Sequence, residues 1–367
     1  MFFLNEMIVY FYISPTPNKF HLYKLLEYFQ NDTIIFVENT LPFLEDKYLV
    51  ISLRALNAIY QGLVITNNHW FSKNIIKRNK TLVCYQYFTA CAYDNTVYLP
   101  DDVKFDYYFI ENEEYYDYIK TKINPNVSNC RIIGNIVYEN YLYRRSWENK
   151  LGYQNDCFDI LYTPSFCKNL SDPLSNHSIR DELLVMTRVL NELKNNYRII
   201  TLPHPILKRY HATIDDDEFK AIEERFVNPM WETNDPLKLI NGCKIIINSC
   251  KSFIVNSLMF NKPMIYCTNY SYDISRLGRE ILNVSYHIVD FDENEMKNLI
   301  IDVMNNDINK ERRTLLYNSQ DYTESAIDKS IEILNVERGE GKEMNNETNI
   351  ETNIDMNIDM NNERSQR

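Results

Sequence analysis

The chain has 367 residues, 45% hydrophobic and 25% charged, with a formal net charge of −12 and a sequence pI near 5.1. That length accommodates two domains, each able to bury its own core, and the acidic balance excludes a general nucleic-acid or anionic-membrane surface, so any anion site has to be local. Only 7 glycines occur and no glycine-rich phosphate loop is present, while the 8 cysteines form no CxxC pair and no zinc-spaced Cys/His cluster and read as reduced thiols.

Residues 1–13 are apolar, yet they carry Glu6, lack a basic start and fall far short of the ~20 residues that span a bilayer. A buried first strand is expected over 7–13, closed by Pro15 and Pro17. Residues 21–29 have helical periodicity, 33–37 and 48–52 read as strands, 53–60 as a helix, 63–66 as a strand, 70–77 as a helix and 81–87 as a strand. A strand over 105–110, a helix over 113–122 and a strand over 131–133, ending at Gly134, follow. Strands alternating with helices through short connections predict a parallel sheet covered on both faces. This first Rossmann-like domain is expected to span 1–150.

The second half repeats the scheme over 151–336. A strand over 159–162 ends in Thr163, Pro164 and Ser165, and 179–193 is an amphipathic helix. The next strand, 197–202, ends in Pro203, His204 and Pro205; a helix (216–225), a short strand (226–227) and a helix (236–240) come after it. Residues 245–248 are an apolar strand, Ser249 to Ser252 a polar turn, 253–260 a helix, and 264–266, directly after Pro263, another strand. This is a βαβ unit with a polar loop at the carboxyl end of its first strand, where open parallel sheets bind ligands. The tail, 337–367, is polar, repetitive and without aromatic residues, and is expected to be disordered.

The turn offers backbone N–H groups, the hydroxyls of Ser249 and Ser252 and the Lys251 ammonium to an anion such as phosphate. The same residues also satisfy a plain helix cap beside a solvated lysine. His204 is held between two prolines, and Asn256 lies one helical turn after Ser252 on the same face. Turns at Thr163, His204 and Ser249 can converge on one crevice. The acidic run at Asp215, Asp216 and Asp217 suits a helix start better than a metal, and no metal site is expected.

Four segments, in this order, resemble the CDP-glycerol glycerophosphotransferase family of wall-polymer and capsule synthases. Ile160, Leu161, Tyr162, Thr163, Pro164 and Ser165, leading to Lys168, are similar to its ILYxPTxR segment. A strand ending in a His-Pro pair is matched at 199–205. Its hallmark, ITDYSSxxFDxxxxxKPIIFY, is matched at 247–266, including Lys262 and Pro263. Arg276, Gly278 and Arg279 are similar to an Arg-Gly element. The departures are that Ser249 replaces an acidic residue, Lys251 a hydroxyl and Asn256 an aspartate. Phe88, Thr89 and Ala90 stand where the family has Trp-His-Gly, and His69 lies in a different loop.

The resemblance implies an α/β fold of the GT-B type, two Rossmann-like parallel-sheet domains facing a cleft, with the acceptor on the first and a nucleotide donor on the second. It implies a transferase that moves a polyol phosphate or sugar from a nucleotide-diphosphate donor to a glycan or polyol hydroxyl. His204, Lys251 and Thr89 are the catalytic candidates. Ser249, Ser252, Thr163, Lys168 and Arg276 are candidates for the donor phosphates, Asn256 for the ribose, and residues 226–231 for the base. The donor is a substrate, so no cofactor is expected. A nucleotide- or glycan-binding protein that has lost the acceptor-side histidine is the alternative, and a UDP-sugar epimerase a third reading. A cytoplasmic location is expected, with peripheral contact to a membrane-held acceptor left open.

Overall fold

The computed structural model describes residues 7–12, 23–40, 47–67, 74–85, 105–123, 129–136, 139, 142, 146, 157–164, 177–203, 217–231, 236–249, 253–267, 275–288, 292–319 and 326–338. Seven strands form the first sheet: β1 (Ile8–Tyr12), β2 (Thr33–Val37), β3 (Leu49–Ile51), β4 (Gln61–Thr66), β5 (Asn79–Tyr85), β6 (Tyr107–Ile110) and β7 (Cys130–Ile132). Their order is β3-β2-β1-β4-β5-β6-β7 and every pairing is parallel. That is the Rossmann order extended by one strand, and its topological switch point lies between β1 and β4.

The near-continuous apolar runs of these strands follow from burial on both faces. Val9, Phe11, Ile65, Val83, Tyr85 and Phe109 face one core, filled by Leu25, Leu26 and Phe29 on and just after α1 (Tyr23–Tyr28). Tyr10, Val64, Leu82, Cys84 and Tyr108 alternate with them into the other. There Leu56 of α2 (Leu53–Ala58) and Tyr115 of α3 (Glu113–Tyr118) cover the sheet, and α3 continues into a π-helical turn, Ile119–Ile123.

The second sheet holds β8 (Phe158–Thr163), β9 (Ile199–Thr201), β10 (Cys243–Asn248), β11 (Met264–Cys267) and β12 (Tyr286–Ile288) in the order β12-β11-β10-β8-β9, again all parallel. Read from β9 this is 2-1-3-4-5, the flavodoxin-like order, with its switch point between β8 and β10. The helices are α4 (His177–Leu193), α5 (Asp217–Glu223), α6 (Pro236–Gly242), α7 (Ile254–Met259), α8 (Arg276–Asn283), α9 (Glu293–Asn305), α10 (Lys310–Ser319) and α11 (Ala326–Arg338). Ile160, Tyr162, Ile245, Ile247 and Ile265 pack on one face against Leu183, Met186 and Leu190 of α4 and Met296 and Ile300 of α9. Leu161 and Ile246 pack on the other face with Ile240 of α6, while Met264 and Tyr266 pack there with α7.

Two parallel-strand sheets with helices, α/β, agree with the fold class read from the sequence. Several details differ. Helix 70–77 falls partly outside the described residues, and 74–77 forms no α-helix. Residues 226–227 are not a strand; the bridge to Thr201 is made by Pro229. The sequence reading placed no elements beyond 266, where five occur.

The last of these, α11, packs away from the sheet that precedes it in sequence. Although it lies in the 151–336 stretch assigned to the second domain, α11 buries Ala326, Ile327 and Leu334 in the core of the first. The Tyr85 and Ser330 hydroxyls bond at 2.9 Å. Glu139 accepts the Ile327 N–H (3.0 Å) and the Lys24 ammonium (3.1 Å), which also reaches Asp328 (2.9 Å). Burial opposes the Lys24 charge, but the two carboxylates outweigh it and hold its pKa above the ordinary value. Glu337 and Arg338, expected in the disordered tail, still belong to α11, and the rest of the expected tail, 339–367, lies outside the described residues.

Gly62, the second residue of β4, has φ +130°, and a Cβ there would meet the Tyr10 ring at 2.6 Å and the Ile8 carbonyl oxygen at 3.0 Å. Both the backbone and the neighbour on β1 therefore require glycine. Gly62→Ala is expected to destabilise the protein by on the order of 2 kcal/mol, read as a lower urea midpoint at unchanged slope.

Candidate functional site

At the switch point of the second sheet Thr163, the last residue of β8, stands beside Asn248, the last of β10. The Thr163 hydroxyl donates to Asn248 Oδ1 (2.7 Å), and the Asn248 amide group approaches Met264 Sδ (3.6 Å). One residue on, the Ser249 N–H donates to the Thr163 carbonyl (3.2 Å), with the Ser249 hydroxyl 3.5 Å from the same oxygen. Thr163, Asn248 and Ser249 are all fully buried. Two of the expected phosphate-binding residues, Thr163 and Ser249, are thus brought together.

Ser249 does not cap the helix that follows. The N-cap of α7 is Phe253, which makes no side-chain cap bond, and the helix has only 6 residues. The Ser249 hydroxyl is instead bonded to Glu182 of α4, which also accepts the Tyr162 hydroxyl (3.0 Å). Burial pushes the Glu182 carboxyl up to about 8, with the bonds from Ser249 and Tyr162 pulling partly back. Burial and the nearby Glu182 charge hold both the Tyr162 hydroxyl and the Cys267 thiol well above their ordinary values. Thr201 and Tyr162 are level on β9 and β8, Ser249, just past β10, and Cys267, at the end of β11, lie two residues further on, and Glu182 meets these buried groups from the helix layer.

Glu182 escaped the sequence reading, although a signal was present. With Met186, Val189, Leu190 and Leu193 it occupies the i, i+4, i+7, i+8, i+11 stripe of an amphipathic helix, where a carboxylate is out of place. Thr66 and Asn67, at the switch point of the first sheet, are likewise buried and were not singled out.

Asn256 is half-buried on α7. The Arg276 guanidinium is 81% exposed and bonded to Glu280 (3.0 Å), while its backbone N–H donates to Glu114 of α3 (2.8 Å), linking the two halves of the molecule. Residues 226–231 run beside the end of β9: the Met230 N–H donates to the Thr201 carbonyl (2.8 Å), and the Phe226 and Trp231 rings lie 6.1 Å apart. His204, Lys251, Ser252, Lys168, Thr89 and His69 lie outside the described residues. Among the described residues no group of three or more His, Cys, Asp or Glu is placed to hold a metal ion, and no helix is long and apolar enough to cross a membrane.

No protein-family model and no curated protein matches the sequence. Solved structures do match in fold. A variant of the wall teichoic acid polymerase TagF superposes with a TM-score of 0.59 at 12% identity, covering 92% of this chain and 90% of that chain. MnaA of S. aureus, in a co-structure with UDP, gives 0.52 at 9% identity, covering 91% and 97%. A UDP-N-acetylglucosamine 2-epimerase from Rickettsia bellii gives 0.52 at 13% identity, covering 90% and 98%. These likenesses establish a GT-B fold. They agree in fold with the resemblance to CDP-glycerol glycerophosphotransferases carried by the motifs.

The Thr201 hydroxyl is fully buried without a hydrogen-bond partner. An unpaired buried hydroxyl costs ~1–3 kcal/mol. Thr201→Val, which replaces it with a methyl of similar size, is expected to raise the melting temperature. An unchanged or lower value would show that the hydroxyl is satisfied.

Proposed function

We propose that this GT-B protein is a transferase that moves a polyol phosphate or a sugar from a nucleotide-diphosphate donor to a hydroxyl acceptor in glycan or polymer synthesis. The observation that carries the reading is the meeting of Thr163 and Ser249 at the β8/β10 switch point. Open α/β sheets bind their ligands at such a point, and these residues belong to two of the segments that resemble the glycerophosphotransferases. TagF has been solved after soaking with CDPG and MnaA with UDP, both in this fold.

In such a reaction the acceptor oxygen attacks either the glycerol-bearing phosphorus of a CDP-glycerol-like donor, expelling a nucleoside monophosphate, or the anomeric carbon of a nucleotide sugar, expelling a nucleoside diphosphate. Either leaving group gains negative charge in the transition state, and donors already aimed at it lower the barrier. His204, Lys251 and Ser252 are assigned that role, with Lys168 and Arg276 adding positive charge and Asn256 holding the ribose. Thr89, in place of the family's histidine, is assigned to the acceptor side.

Melting temperatures are to be compared with CDP, UDP, CDP-glycerol and UDP-sugars. A ligand at 100 times its dissociation constant adds about 2.7 kcal/mol, a shift of several degrees in a chain of this size. Stabilisation by CDP-glycerol, lost in Lys251→Ala and His204→Ala, is the expected result, with turnover reduced ~10²- to 10³-fold in each variant. Stabilisation by a UDP-sugar alone selects sugar chemistry. Stabilisation by nucleotides without turnover of any donor would identify a binding protein, and no stabilisation at all would refute a donor site.

A further inference from the structure

Glu182 is the only fully buried carboxyl group among the described residues, and the chemistry assigned above makes no use of it. It projects from α4 onto the carboxyl edge of the sheet, where β8 supplies Tyr162, the end of β10 supplies Ser249 and β11 supplies Cys267. From α9, packed against α4, come the apolar Met296 and Ile300. The charged groups of these two helices pair with each other on the surface, Arg188 with Glu293 (2.8 Å) and Lys297 with Glu192 (2.7 Å). Among the described residues no cation bears on the Glu182 carboxyl.

Burial holds a carboxyl's proton to higher pH, and in that form the group has one O–H to give as well as oxygens that accept. The contacts order themselves accordingly. In the ionised form both the Tyr162 hydroxyl (3.0 Å) and the Ser249 hydroxyl donate to the carboxylate, whereas the neutral acid can give its own O–H to the Ser249 oxygen and leave the Ser249 hydroxyl to the Thr163 carbonyl (3.5 Å). This chain of bonds ends on the two strand termini of the candidate donor site.

We propose that Glu182 is the positioning residue of this site: as a neutral acid it ties Tyr162 and Ser249 into the geometry that accepts a nucleoside diphosphate, and loss of its proton expels that ligand. The inference rests on the donor reading above. After ionisation Glu182 can only accept, so Ser249 must turn its O–H inward, leaving the Thr163 carbonyl to the Ser249 N–H (3.2 Å). A negative charge also then lies one hydrogen bond from Ser249, at the sheet edge proposed to receive the diphosphate. The sign follows from where the proton sits. Burial raises the group to about 8, so affinity is complete below the transition and declines as pH rises through it. Tyr162 and Cys267 are shifted further up and stay neutral in this window.

The test is calorimetric titration of the full chain with CDP-glycerol and with UDP from below to above this transition. The diphosphate of CDP-glycerol is esterified at both ends and does not itself titrate in this window. The wild type is expected to lose affinity by up to about tenfold per pH unit above the transition, while Glu182→Gln gives a flat profile. Tyr162→Phe removes a bond that pulls the Glu182 value down, so its transition is expected at higher pH. Parallel profiles for the wild type and Glu182→Gln would overturn the proposal. If neither nucleotide binds at any pH, the donor reading fails by itself, and amide exchange at Ser249 then decides the role of Glu182. Faster exchange in the wild type than in Glu182→Gln, only above the transition, would sustain the positioning role; equal rates would refute it.

Discussion

The side-by-side, parallel pairing of β8 with β10 is the constraint on which the candidate site depends. In register, Tyr162 lies beside Ile247 and Thr163 beside Asn248. The chain leaves β8 for α4, which covers one face of the sheet, and leaves β10 for α7, which covers the other. Two neighbouring strands whose connections depart to opposite faces must open a crevice just past their last paired residues. Strand order alone therefore fixes where a ligand can approach backbone and hydroxyl groups. Side-chain choice decides only how that edge is finished.

It is finished dry. Thr163, Asn248 and Ser249 satisfy one another within the protein, and the groups beneath them are a tyrosine, a thiol and a carboxylic acid. In a low-dielectric layer each of these bonds is stronger than it would be in water, and each missing one is correspondingly expensive. The ion pairs on the outer faces of α4 and α9, Arg188 with Glu293 and Lys297 with Glu192, are of a different kind. Their side chains are 39–56% exposed, and pairs of that sort contribute between nothing and about 1 kcal/mol. The shape of the edge is thus held by buried neutral hydrogen bonds, with the surface charges adding little.

Much of this architecture was legible in the sequence because fully buried parallel strands are short apolar runs between polar punctuation. The runs at β1, β2, β4, β5, β8 and β10 stand out against their surroundings, and the Pro263 break separates α7 from β11. What stayed hidden has physical reasons. The strand β12 has 3 residues, one of them exposed, and α10 carries Lys310, Glu311, Arg312 and Arg313 in its first turns, so neither shows a clear apolar period. Glu182 was hidden by its own type: a carboxylate on a helix is read as solvent-facing unless its register with Met186, Val189 and Leu193 is followed. The pairing of Thr163 with Ser249 was approachable, since both follow apolar strands, but their adjacency is a consequence of strand order. Nothing local in the sequence states it.

The packing of α11 was illegible for a related reason, and it constrains how the two halves act together. Amphipathicity shows that a helix has a partner without saying which. The helix α11 follows α10 of the second half, yet Ala326, Ile327 and Leu334 complete the core under β1 and β5, and Ser330 bonds to Tyr85 at the end of β5. The first core is therefore unfinished until α11 has been made. Among the described elements the chain passes between the halves twice, between β7 and β8 and again between α10 and α11. Two such crossings leave far less freedom than a single linker would, because a relative movement has to bend both segments at once. The bond from the Arg276 N–H to Glu114 lies on the exposed side of this arrangement. An exposed contact of that kind is worth ~1 kcal/mol or less, so it can yield while α11 stays seated and Leu237 of α6 rests against the first core. Motion between the halves should thus be a hinge about the two crossings rather than a separation of domains.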